Sequence, residues 1–309
     1  MSEELMGKVV TSIETNIRTC APFGIKDIDE KIGGIHAHEL MSISGREGVG
    51  KTTFSLWCCT QWLKQGKHIM YFTNEQTKEE LLKILAANKF RLDSMAVRNK
   101  KLSETDWANC LKYWKEFPED KFEILDQRQG VLVTSIAAHY LKTKPDIIIV
   151  DNLNQINSAD PREPRHLAIK RFVEGAHAVV KNVKNEVAIV LLTHLSRDYK
   201  KNKNGWPDIN SIAESASVAR EAHTSLLLHW PWYDERAAEA SKEKEEKKEV
   251  PKHAENEYYV IIAKARNGRP GHAKLEVDMK YGFFEGWFQG ATPSVPMSAE
   301  ASNERWEDK

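Results

Sequence analysis

The sequence predicts an α/β fold with a mostly parallel β-sheet, and three observations support this prediction. Between residues 23 and 290, short apolar runs alternate with longer amphipathic segments. Most of the runs are rich in β-branched residues and apolar nearly throughout, which is typical of strands buried on both faces. The chain has 309 residues, of which 41% are hydrophobic, enough for one large domain with a sizeable core. Alternation of this kind favours a twisted parallel sheet flanked by helices.

The apolar runs and the amphipathic segments locate the individual elements. In chain order, the predicted strands are LMSIS, HIMYFT, FEIL, DIIIVD, VAIVLLTH, TSLLLHW and EYYVIIAKA. The predicted helices are TTFSLWCCTQWLKQG, TKEELLKILAANKF, VLVTSIAAHYLKT and AIKRFVEGAHAVVKNVKNE. Together they predict one domain over residues 23–290.

Three segments lie outside this pattern. Residues 1–22 predict a short N-terminal helix whose apolar residues recur at i+4 steps, at Leu5, Val9, Ile13 and Ile17. Such a stripe must dock on something, and both its own domain and a neighbouring subunit fit. Residues 234–257 are charged and predict a flexible insertion between two strands, and residues 291–309 predict a disordered tail.

Charge and cysteine content restrict the classes of function. The chain has 45 Lys+Arg and 45 Asp+Glu residues, so binding to a nucleic acid would need a local basic patch. The four cysteines include no C-x-x-C pair, which excludes a zinc ribbon and argues against a disulfide framework. This cysteine pattern indicates a reducing compartment. The N-terminus shows no signal-peptide pattern, and no apolar run approaches the roughly 20 residues of a membrane span. We therefore expect a cytoplasmic protein without a membrane partner.

The most specific motif is GREGVGKT at residues 45–52, which matches the P-loop pattern G-x-x-x-x-G-K-[ST] between a predicted strand and a predicted helix. Its glycines allow successive backbone N–H groups to converge on phosphate oxygens, and the helix adds the positive end of its dipole. Lys51 is expected between the outer phosphates and Thr52 on Mg²⁺. The alternative, a glycine-rich turn with a surface lysine, does not explain why both flanks match. The expected nucleotide-binding residues are Gly45, Arg46, Glu47, Gly48, Val49, Gly50, Lys51, Thr52 and Thr53.

Three polar residues follow apolar strands and are candidates for the chemistry. Asp151 ends DIIIVD, where a carboxylate can hold Mg²⁺ or simply cap a turn. Glu75 follows HIMYFT, one strand from the P-loop, where a carboxylate can orient an attacking water or begin the next helix. His194 ends VAIVLLTH, where it can touch a γ-phosphate or serve as a structural histidine.

The order of these motifs resembles that of the ATPase domain of replicative ring helicases, of the DnaB type and the phage primase-helicase type, built on a RecA-like core. The resemblance covers residues 23–288, and several local stretches carry it. These are FGIKDIDEKIGGIHAHELMSISGREGVGKTTF, YFTNEQTKEEL, IIIVDNLNQI, VLLTHLSRD, DINSIAESASVAREAHTSLLLHW and YYVIIAKARNGRPGHAKLEVDMKYGFFE.

The resemblance implies roles for the candidate catalytic residues. Glu75 corresponds to the family's catalytic glutamate and His194 to the residue that senses the γ-phosphate. In the family, a C-terminal hairpin carries a lysine and an arginine that reach the ATP of the neighbouring subunit. In this sequence these residues are Lys264 and Arg266, and without the resemblance they would be a basic surface turn. An arginine supplied in this way stabilises the charge that develops during phosphoryl transfer.

The resemblance also implies two DNA-binding loops, at about residues 153–166 and 196–216. The second loop contains SRDYKKNKNGWPD, in which lysines and a flexible glycine suit a loop that follows a phosphate backbone. A solvated charged loop is the alternative. The expected DNA contacts are Arg197, Lys200, Lys201 and Lys203, together with Arg162 and Arg165 from the first loop.

Several positions depart from the family pattern. Ala213 and Ala216 replace an arginine and a glycine, and Asn152 and Asn154 replace other residues after the Asp151 strand. Trp230 stands where many members carry an arginine near the base, and both stacking on adenine and a place in the core are open to it. These departures bear on DNA contacts and base preference rather than on ATP hydrolysis.

The sequence therefore leads us to expect an ATP-dependent DNA helicase that uses Mg²⁺ with ATP, or with another NTP or dNTP. The resemblance implies a ring, a hexamer in the family, that translocates on single-stranded or forked DNA. No primase domain is expected, so a separate primase and polymerase are the expected partners, in a bacterium or a phage-infected host rather than a mitochondrial matrix. The alternatives are a RecA-like recombinase, a clock-type switch protein and an accessory DNA-binding ATPase without unwinding activity.

Overall fold

The computed structural model describes residues 6–7, 10–14, 20–127, 131–156, 162–182, 186–202, 205–213, 216–240 and 251–287. The strands are β1 (Leu40–Gly45), β2 (Ile69–Thr73), β3 (Phe122–Asp126), β4 (Ile147–Asp151), β5 (Ala188–His194), β6 (Thr224–His229), β7 (Glu257–Ala265), β8 (Gly271–Asp278) and β9 (Phe283–Gly286). The helices are α1 (Lys26–Ile32), α2 (Lys51–Lys64), α3 (Lys78–Phe90), α4 (Ser94–Arg98), α5 (Glu104–Lys115), α6 (Val133–Thr143), α7 (Arg165–Lys181), α8 (Ala216–Glu221) and α9 (Pro231–Ala240). Single 3₁₀ turns cover Leu153–Gln155, Arg197–Lys201 and Ile209–Ser211.

The described strands form one nine-stranded sheet in the order β3-β2-β4-β5-β1-β6-β7-β8-β9. The strands from β3 to β6 are parallel to their neighbours, whereas β7, β8 and β9 are antiparallel. Each strand predicted from an apolar run is present. The predicted α/β class, with its mostly parallel sheet and C-terminal antiparallel hairpin, is confirmed.

Apolar side chains cover both faces of the sheet, which explains why the central strands are apolar at nearly every position. On one face, Met41 and Ile43 of β1 belong to a cluster with Phe54 and Trp62 of α2. On the other face, Leu40 belongs to a second cluster with side chains of α6 and α7. All residues of β1, β2, β4 and β6 are buried. The core thus holds the carboxyl ends of the central strands in fixed positions.

The strand order corrects one expectation about Glu75. We expected its strand to lie one strand from the P-loop, but β4 and β5 separate β2 from β1. The chain from β2 crosses α3, α4 and α5 to the edge strand β3 before it returns through α6 to β4. Glu75 and the P-loop nevertheless both follow the carboxyl ends of their strands, and they lie at the same end of the sheet because these strands are parallel.

The segments predicted to lie outside the core are only partly described. Residues 10–14 are helical, and Met6, Val10 and Ile13 are about half exposed, while Leu5, Val9 and Ile17 lie outside the described residues. The charged segment 234–257 was predicted to be a flexible insertion, but its first residues, 234–240, form the second part of α9. Its residues 241–250, and the predicted tail at 291–309, lie outside the described residues. The division into an N-terminal helix, a core domain and a tail stays a prediction.

Candidate nucleotide-binding site

The P-loop connects the buried end of β1 to the first turn of α2, as the sequence predicts. Gly48 and Gly50 have φ angles of 80° and 90°, in the left-handed region that glycine adopts without strain. Gly50 is the residue before α2, and no side chain caps the first turn of this helix. The backbone N–H groups of that turn are therefore available to an anion, and the helix dipole favours negative charge there.

Lys51 is 8% exposed, and its ammonium group lies inside the P-loop. Its Nζ donates hydrogen bonds to the carbonyls of Gly45, at 3.0 Å, and Arg46, at 3.1 Å. Burial lowers the pKa of Lys51, while the negative charges of Asp151, Glu75 and Glu47 act in the opposite direction. A phosphate bound next to Lys51 would add negative charge and so stabilise the charged form of this buried lysine.

Asp151 lies at the end of β4 with one of its oxygens tightly held. Its Oδ2 accepts hydrogen bonds from the Thr52 hydroxyl and the Tyr71 hydroxyl, each at 2.7 Å. Tyr71 is fixed in turn by Ser55, at 2.9 Å. Burial raises the pKa of Asp151, although both hydrogen bonds oppose this change. No pattern in the sequence indicated that Tyr71 belongs to the site.

The residues around Asp151 fit a magnesium ion. Its Oδ1 is buried and has no hydrogen-bond partner among the described residues, and the Thr52 hydroxyl is beside the same carboxylate. Oxygen atoms from one carboxylate and one hydroxyl are what Mg²⁺ takes from a protein when phosphates and water supply the rest. No group of three or more His, Cys, Asp or Glu side chains suited to a metal occurs within the described ranges. A closed metal cage is thus not found there, and Thr52 and Asp151 are the candidate ligands.

The second half of the site contains Glu75, Asn152 and His194. Asn152 donates its side-chain N–H to Glu75 Oε2, and the same nitrogen lies 3.5 Å from His194 Nε2. Asn74 fixes the backbone of Asn152 from both sides, with two hydrogen bonds of 2.7 Å. Asn152, which the sequence marked only as a departure, therefore links the candidate water-orienting carboxylate to the candidate phosphate sensor.

The alternative roles of Glu75 and His194 can be compared with their surroundings. Helix α3 begins at Lys78 with Thr77 as its N-cap, and Glu80 completes the capping box, so Glu75 does not begin that helix. His194 pairs with Gly45 across the parallel strands, and its Nδ1 lies 3.5 Å from Lys51 Nζ. Burial and the charge of Lys51 lower the pKa of His194 to about 4. Its imidazole is therefore neutral at pH 7 and adjoins the P-loop lysine.

The other residues of the predicted nucleotide set differ in their exposure and in their contacts. Glu47 is exposed at the tip of the loop, while Val49 is buried and its carbonyl accepts a hydrogen bond from Tyr258, at 3.0 Å. The side chain of Thr53 packs beside Gly282, where a Cβ would lie 2.8 Å from Thr53 Cγ2. The guanidinium of Arg46 turns to Asp234 of α9, with 2.5 Å between the nitrogen and the oxygen.

Lys264 and Arg266 lie at the opposite edge of the sheet from the P-loop of the same chain. Thr224, at the start of β6, pairs with Ala265, whereas Leu228 pairs with Gly45. The two pairs are about 13 Å apart along the strand at 3.3 Å per residue. Lys264 Nζ donates to the carbonyls of Ala219 and Arg220 at the end of α8, at 2.7 and 2.8 Å. Arg266 also donates to the Arg220 carbonyl, at 3.1 Å, so both cations point away from their own P-loop.

The predicted DNA contacts are only partly brought together. Lys200 and Lys201 lie in the 3₁₀ turn after β5, where Lys201 pairs with Asp198 at 2.7 Å and Lys200 lies 3.9 Å from Asp234. Arg197 begins the same turn, and Lys203 lies outside the described residues. Arg162 and Arg165 are exposed before and at the start of α7. Acidic neighbours thus balance part of the basic charge in this loop.

Trp230 is a core residue in this chain. It is 7% exposed, its indole N–H donates to the Glu255 carbonyl at 2.8 Å, and its ring stacks on Trp232 and Tyr233. The open choice between a base-stacking role and a core role is therefore decided in favour of the core. No helix within the described residues has the length and hydropathy of a membrane span.

Comparisons with known proteins agree with this architecture. The family model described as the DnaB-like helicase C-terminal domain matches residues 21–286. The replicative DNA helicase DnaB of Rickettsia prowazekii (strain Madrid E) is 26% identical over 285 residues, with 84% of this chain and 57% of that protein covered. The Haemophilus influenzae (strain ATCC 51907 / DSM 11121 / KW20 / Rd) DnaB is 22% identical over 269 residues, with 85% and 54% covered. The chain thus spans a little over half the length of these relatives.

Two solved structures share the fold. A structure described as an ATPase domain has a TM-score of 0.77 at 22% identity, and the alignment covers 93% of this chain and 98% of that one. A DnaB-like replicative helicase, studied for its interactions with primase, has a TM-score of 0.75 at 23% identity, with 93% and 67% covered. These likenesses confirm the RecA-like core, and the family match extends over all nine described strands. The chain belongs to the DnaB-like helicase C-terminal domain family.

Proposed function

We propose that this protein is an ATP-dependent, ring-forming DNA helicase that translocates on single-stranded DNA and unwinds duplex. The observation that carries the proposal is the separation of its catalytic groups within one chain. The candidate phosphate-binding groups lie at the carboxyl ends of the strands. Lys264 and Arg266, which donate hydrogen bonds to carbonyls of α8, lie about 13 Å away along β6. A second subunit whose hairpin faces the P-loop would join the two halves.

Each residue of the P-loop edge has a role in the proposed hydrolysis. The backbone N–H groups of the loop and Lys51 bind the β- and γ-phosphates, and Thr52 and Asp151 hold Mg²⁺. The ion, when bound, neutralises phosphate charge. Glu75 is exposed at the end of its strand, where its carboxylate accepts a hydrogen bond from a water and orients it toward the γ-phosphate. His194, neutral beside Lys51, contacts the γ-phosphate and changes its contacts when that group leaves.

Lys264 and Arg266 act on the nucleotide of the adjoining subunit. Arg266 is exposed, so its guanidinium is accessible to a neighbour. A positive charge placed there in trans stabilises the charge that develops on the γ-phosphoryl group. Hydrolysis then requires contact between subunits, which is the physical reason for a ring. We propose a hexamer, as the resemblance implies.

The DNA strand is proposed to run along the loops that follow β4 and β5. The second loop begins directly after His194, so a change at the γ-phosphate reaches it within a few residues. Lys200, Lys201 and Lys203 would follow the phosphate backbone there, together with Arg162, Arg165 and Arg197. The nucleotide is ATP, or another NTP or dNTP. A separate primase and polymerase are the proposed partners, in the cytoplasm of a bacterium or a phage-infected host.

A forked-duplex unwinding assay, run with native mass measurements, tests the proposal. We expect strand displacement that requires ATP and Mg²⁺, and a mass that corresponds to a ring when nucleotide and single-stranded DNA are present. Homologous pairing without displacement would instead identify a recombinase. DNA-stimulated hydrolysis without either activity would identify an accessory ATPase. Full ATP turnover in a strictly monomeric species would contradict the proposed role of the subunit contact.

A further inference from the structure

Asp234 is a largely buried acidic residue that lies outside the nucleotide-binding and DNA-binding sets predicted from the sequence. Its side chain is 14% exposed and sits in the first turns of α9. Asp234 Oδ1 lies 2.5 Å from Arg46 Nη1, and Asp234 Oδ2 accepts a short hydrogen bond from the Tyr199 hydroxyl. Lys200 Nζ lies 3.9 Å from Oδ1, and His229 Nδ1 lies 3.6 Å from Oδ2. One carboxylate therefore joins groups from separate parts of the chain.

The two short contacts of Asp234 connect two loops with different tasks. Arg46 belongs to the P-loop, while Tyr199 belongs to the 3₁₀ turn that follows β5 and carries Lys200 and Lys201. Tyr199 is itself buried and packs against His229, and these contacts restrict the movement of its ring relative to the turn. Hydrogen bonds to an ionised carboxylate are roughly twice as strong as neutral ones, and partial burial limits screening by salt.

A second contact of α9 with the P-loop comes from Tyr233. A Cβ built on Gly48 would lie 2.1 Å from the Tyr233 hydroxyl oxygen, so this ring rests directly against the loop. The Arg46 guanidinium lies 5.8 Å from the centre of the same ring. A displacement of the turn after β5 therefore reaches the P-loop through α9 at two neighbouring points.

We propose that Asp234 is a positioning residue that couples the loop after β5 to the P-loop, through its bonds to Tyr199 and Arg46. When a single strand binds the basic turn, Tyr199 moves with it, and the hold of Asp234 on Arg46 changes. Arg46 then alters the conformation of the loop that binds the phosphates. This inference rests on the proposed function, because it takes the turn after β5 as a contact of the DNA strand.

The coupling is measured at equilibrium as a ratio of dissociation constants. The Kd of a fluorescent non-hydrolysable ATP analogue is determined for the full chain with and without an oligo-dT strand. Strand binding itself is followed by fluorescence anisotropy. For the wild-type chain we expect a ratio of about 5 to 150, the usual range for coupled sites. For Asp234→Asn, which keeps the shape and removes the charge, we expect the ratio to fall to about 2 or less.

Two further variants make the result specific. Tyr199→Phe removes only the hydroxyl that donates to Asp234, and we expect it to lower the ratio as much as Asp234→Asn does. The double variant should then be no worse than either single one. Asp198→Asn is the matched control and should keep the wild-type ratio. It changes an exposed carboxylate that precedes Tyr199 by one residue and pairs with Lys201.

The outcomes separate this inference from the proposed function. If Asp234→Asn and Tyr199→Phe change both dissociation constants by the same factor, the ratio is unchanged, the role is structural and the inference is wrong. If the wild-type chain binds oligo-dT but its ratio is close to 1, the inference is also wrong while DNA binding stands. If the wild-type chain does not bind oligo-dT at all, the proposed function is overturned and this inference with it.

Discussion

The charged groups at the two ends of the parallel strands differ in the kind of hydrogen-bond partner that they have. At the carboxyl edge, Asp151, Glu75 and Lys51 each have hydrogen-bond partners among neighbouring strands and loops. At the amino edge, Lys264 and Arg266 donate their hydrogen bonds to neutral carbonyls of α8. Carbonyls at a helix C-terminus attract cations weakly, by about 0.3–1 kcal/mol.

Under the proposed function, the groups at the carboxyl ends of the strands act within one chain, whereas Lys264 and Arg266 act on a second chain. A pair of cations resting on a helix end can leave for a triphosphate at little cost, because a phosphate supplies full negative charges. The ends of four strands, β2, β4, β5 and β1, bring the other candidate catalytic groups together within one chain. Substitutions on each side of this contrast should therefore behave differently.

The largest effect is expected for Arg266→Ala. Loss of a cation supplied in trans should lower kcat for ATP by about 10³-fold or more, while the Kd of a non-hydrolysable analogue changes little. Arg269→Ala, an exposed arginine of the same hairpin, is the matched control. Mixing Arg266→Ala with Glu75→Gln subunits should restore part of the activity, because some interfaces then have one intact site. A mixture as inactive as its parts would show that Arg266 acts within its own chain.

A slightly smaller effect is expected for Glu75→Gln at the carboxyl edge. An amide cannot accept a proton from the attacking water, so kcat should fall by about 10² to 10⁴-fold with nucleotide binding retained. Glu79→Gln, an exposed glutamate of α3, provides the control. Single-turnover hydrolysis and analogue binding, measured separately, distinguish the two steps. Unchanged single-turnover hydrolysis in Glu75→Gln would remove this residue from the chemistry.

Asn152→Asp should lower activity about tenfold and change its pH dependence. In the variant, one carboxylate oxygen still accepts a hydrogen bond from the Asn154 backbone N–H. The side-chain N–H that donates to Glu75 is lost, and a second carboxylate faces Glu75 in its place. Two facing carboxylates hold a proton more tightly than one, so the acid limb of kcat should move to higher pH. KM for ATP should change little. A uniform loss of rate at every pH would mean that Asn152 only maintains the fold.

Much of the fold and part of the site could be predicted from the sequence. The strands of the parallel sheet were visible because each is a continuous apolar run, and the P-loop because eight adjacent residues determine its conformation. The helix α9 was missed because the charged residues that follow Asp234 dominate the composition of its segment. Tyr71, Asn74 and Asp234 act through contacts with residues far away in the chain, and no local pattern reports such contacts.

The order of the strands along the sheet could not be predicted from the sequence either. Residue spacing shows that Glu75 follows the next strand after the P-loop helix, but it does not show that β4 and β5 come between them. That order depends on which strands pair, and pairing is decided by packing over the whole domain. The docking of Lys264 and Arg266 on α8 depends on the β6–β7 register for the same reason.

The smallest expected effect concerns the protonation of three histidines, of which His194 and His223 are partly buried and His229 is buried. Burial lowers the pKa of His194, His223 and His229 to about 4, below the ordinary value of 6.5. The unfolded chain therefore binds more protons than the folded chain between about pH 6.5 and pH 4, and the free energy of unfolding falls as the pH decreases through this window. Thermal unfolding should begin at a lower temperature at pH 5 than at pH 7.

His229→Gln separates this effect from general acid unfolding. His229 is 5% exposed, and glutamine carries no proton to gain, so the variant should lose less stability between pH 7 and pH 5 than the wild-type chain does. His166→Gln, whose histidine is exposed at the start of α7, is the matched control and should behave like wild type. ATP turnover should show no step from His194 between pH 6 and pH 8, because its imidazole is already neutral there. A pH-dependent change of rate in that range that His194→Gln removes would show that His194 becomes protonated during the reaction. The negative charges at the carboxyl ends of the strands would then be less completely compensated than their hydrogen bonds imply.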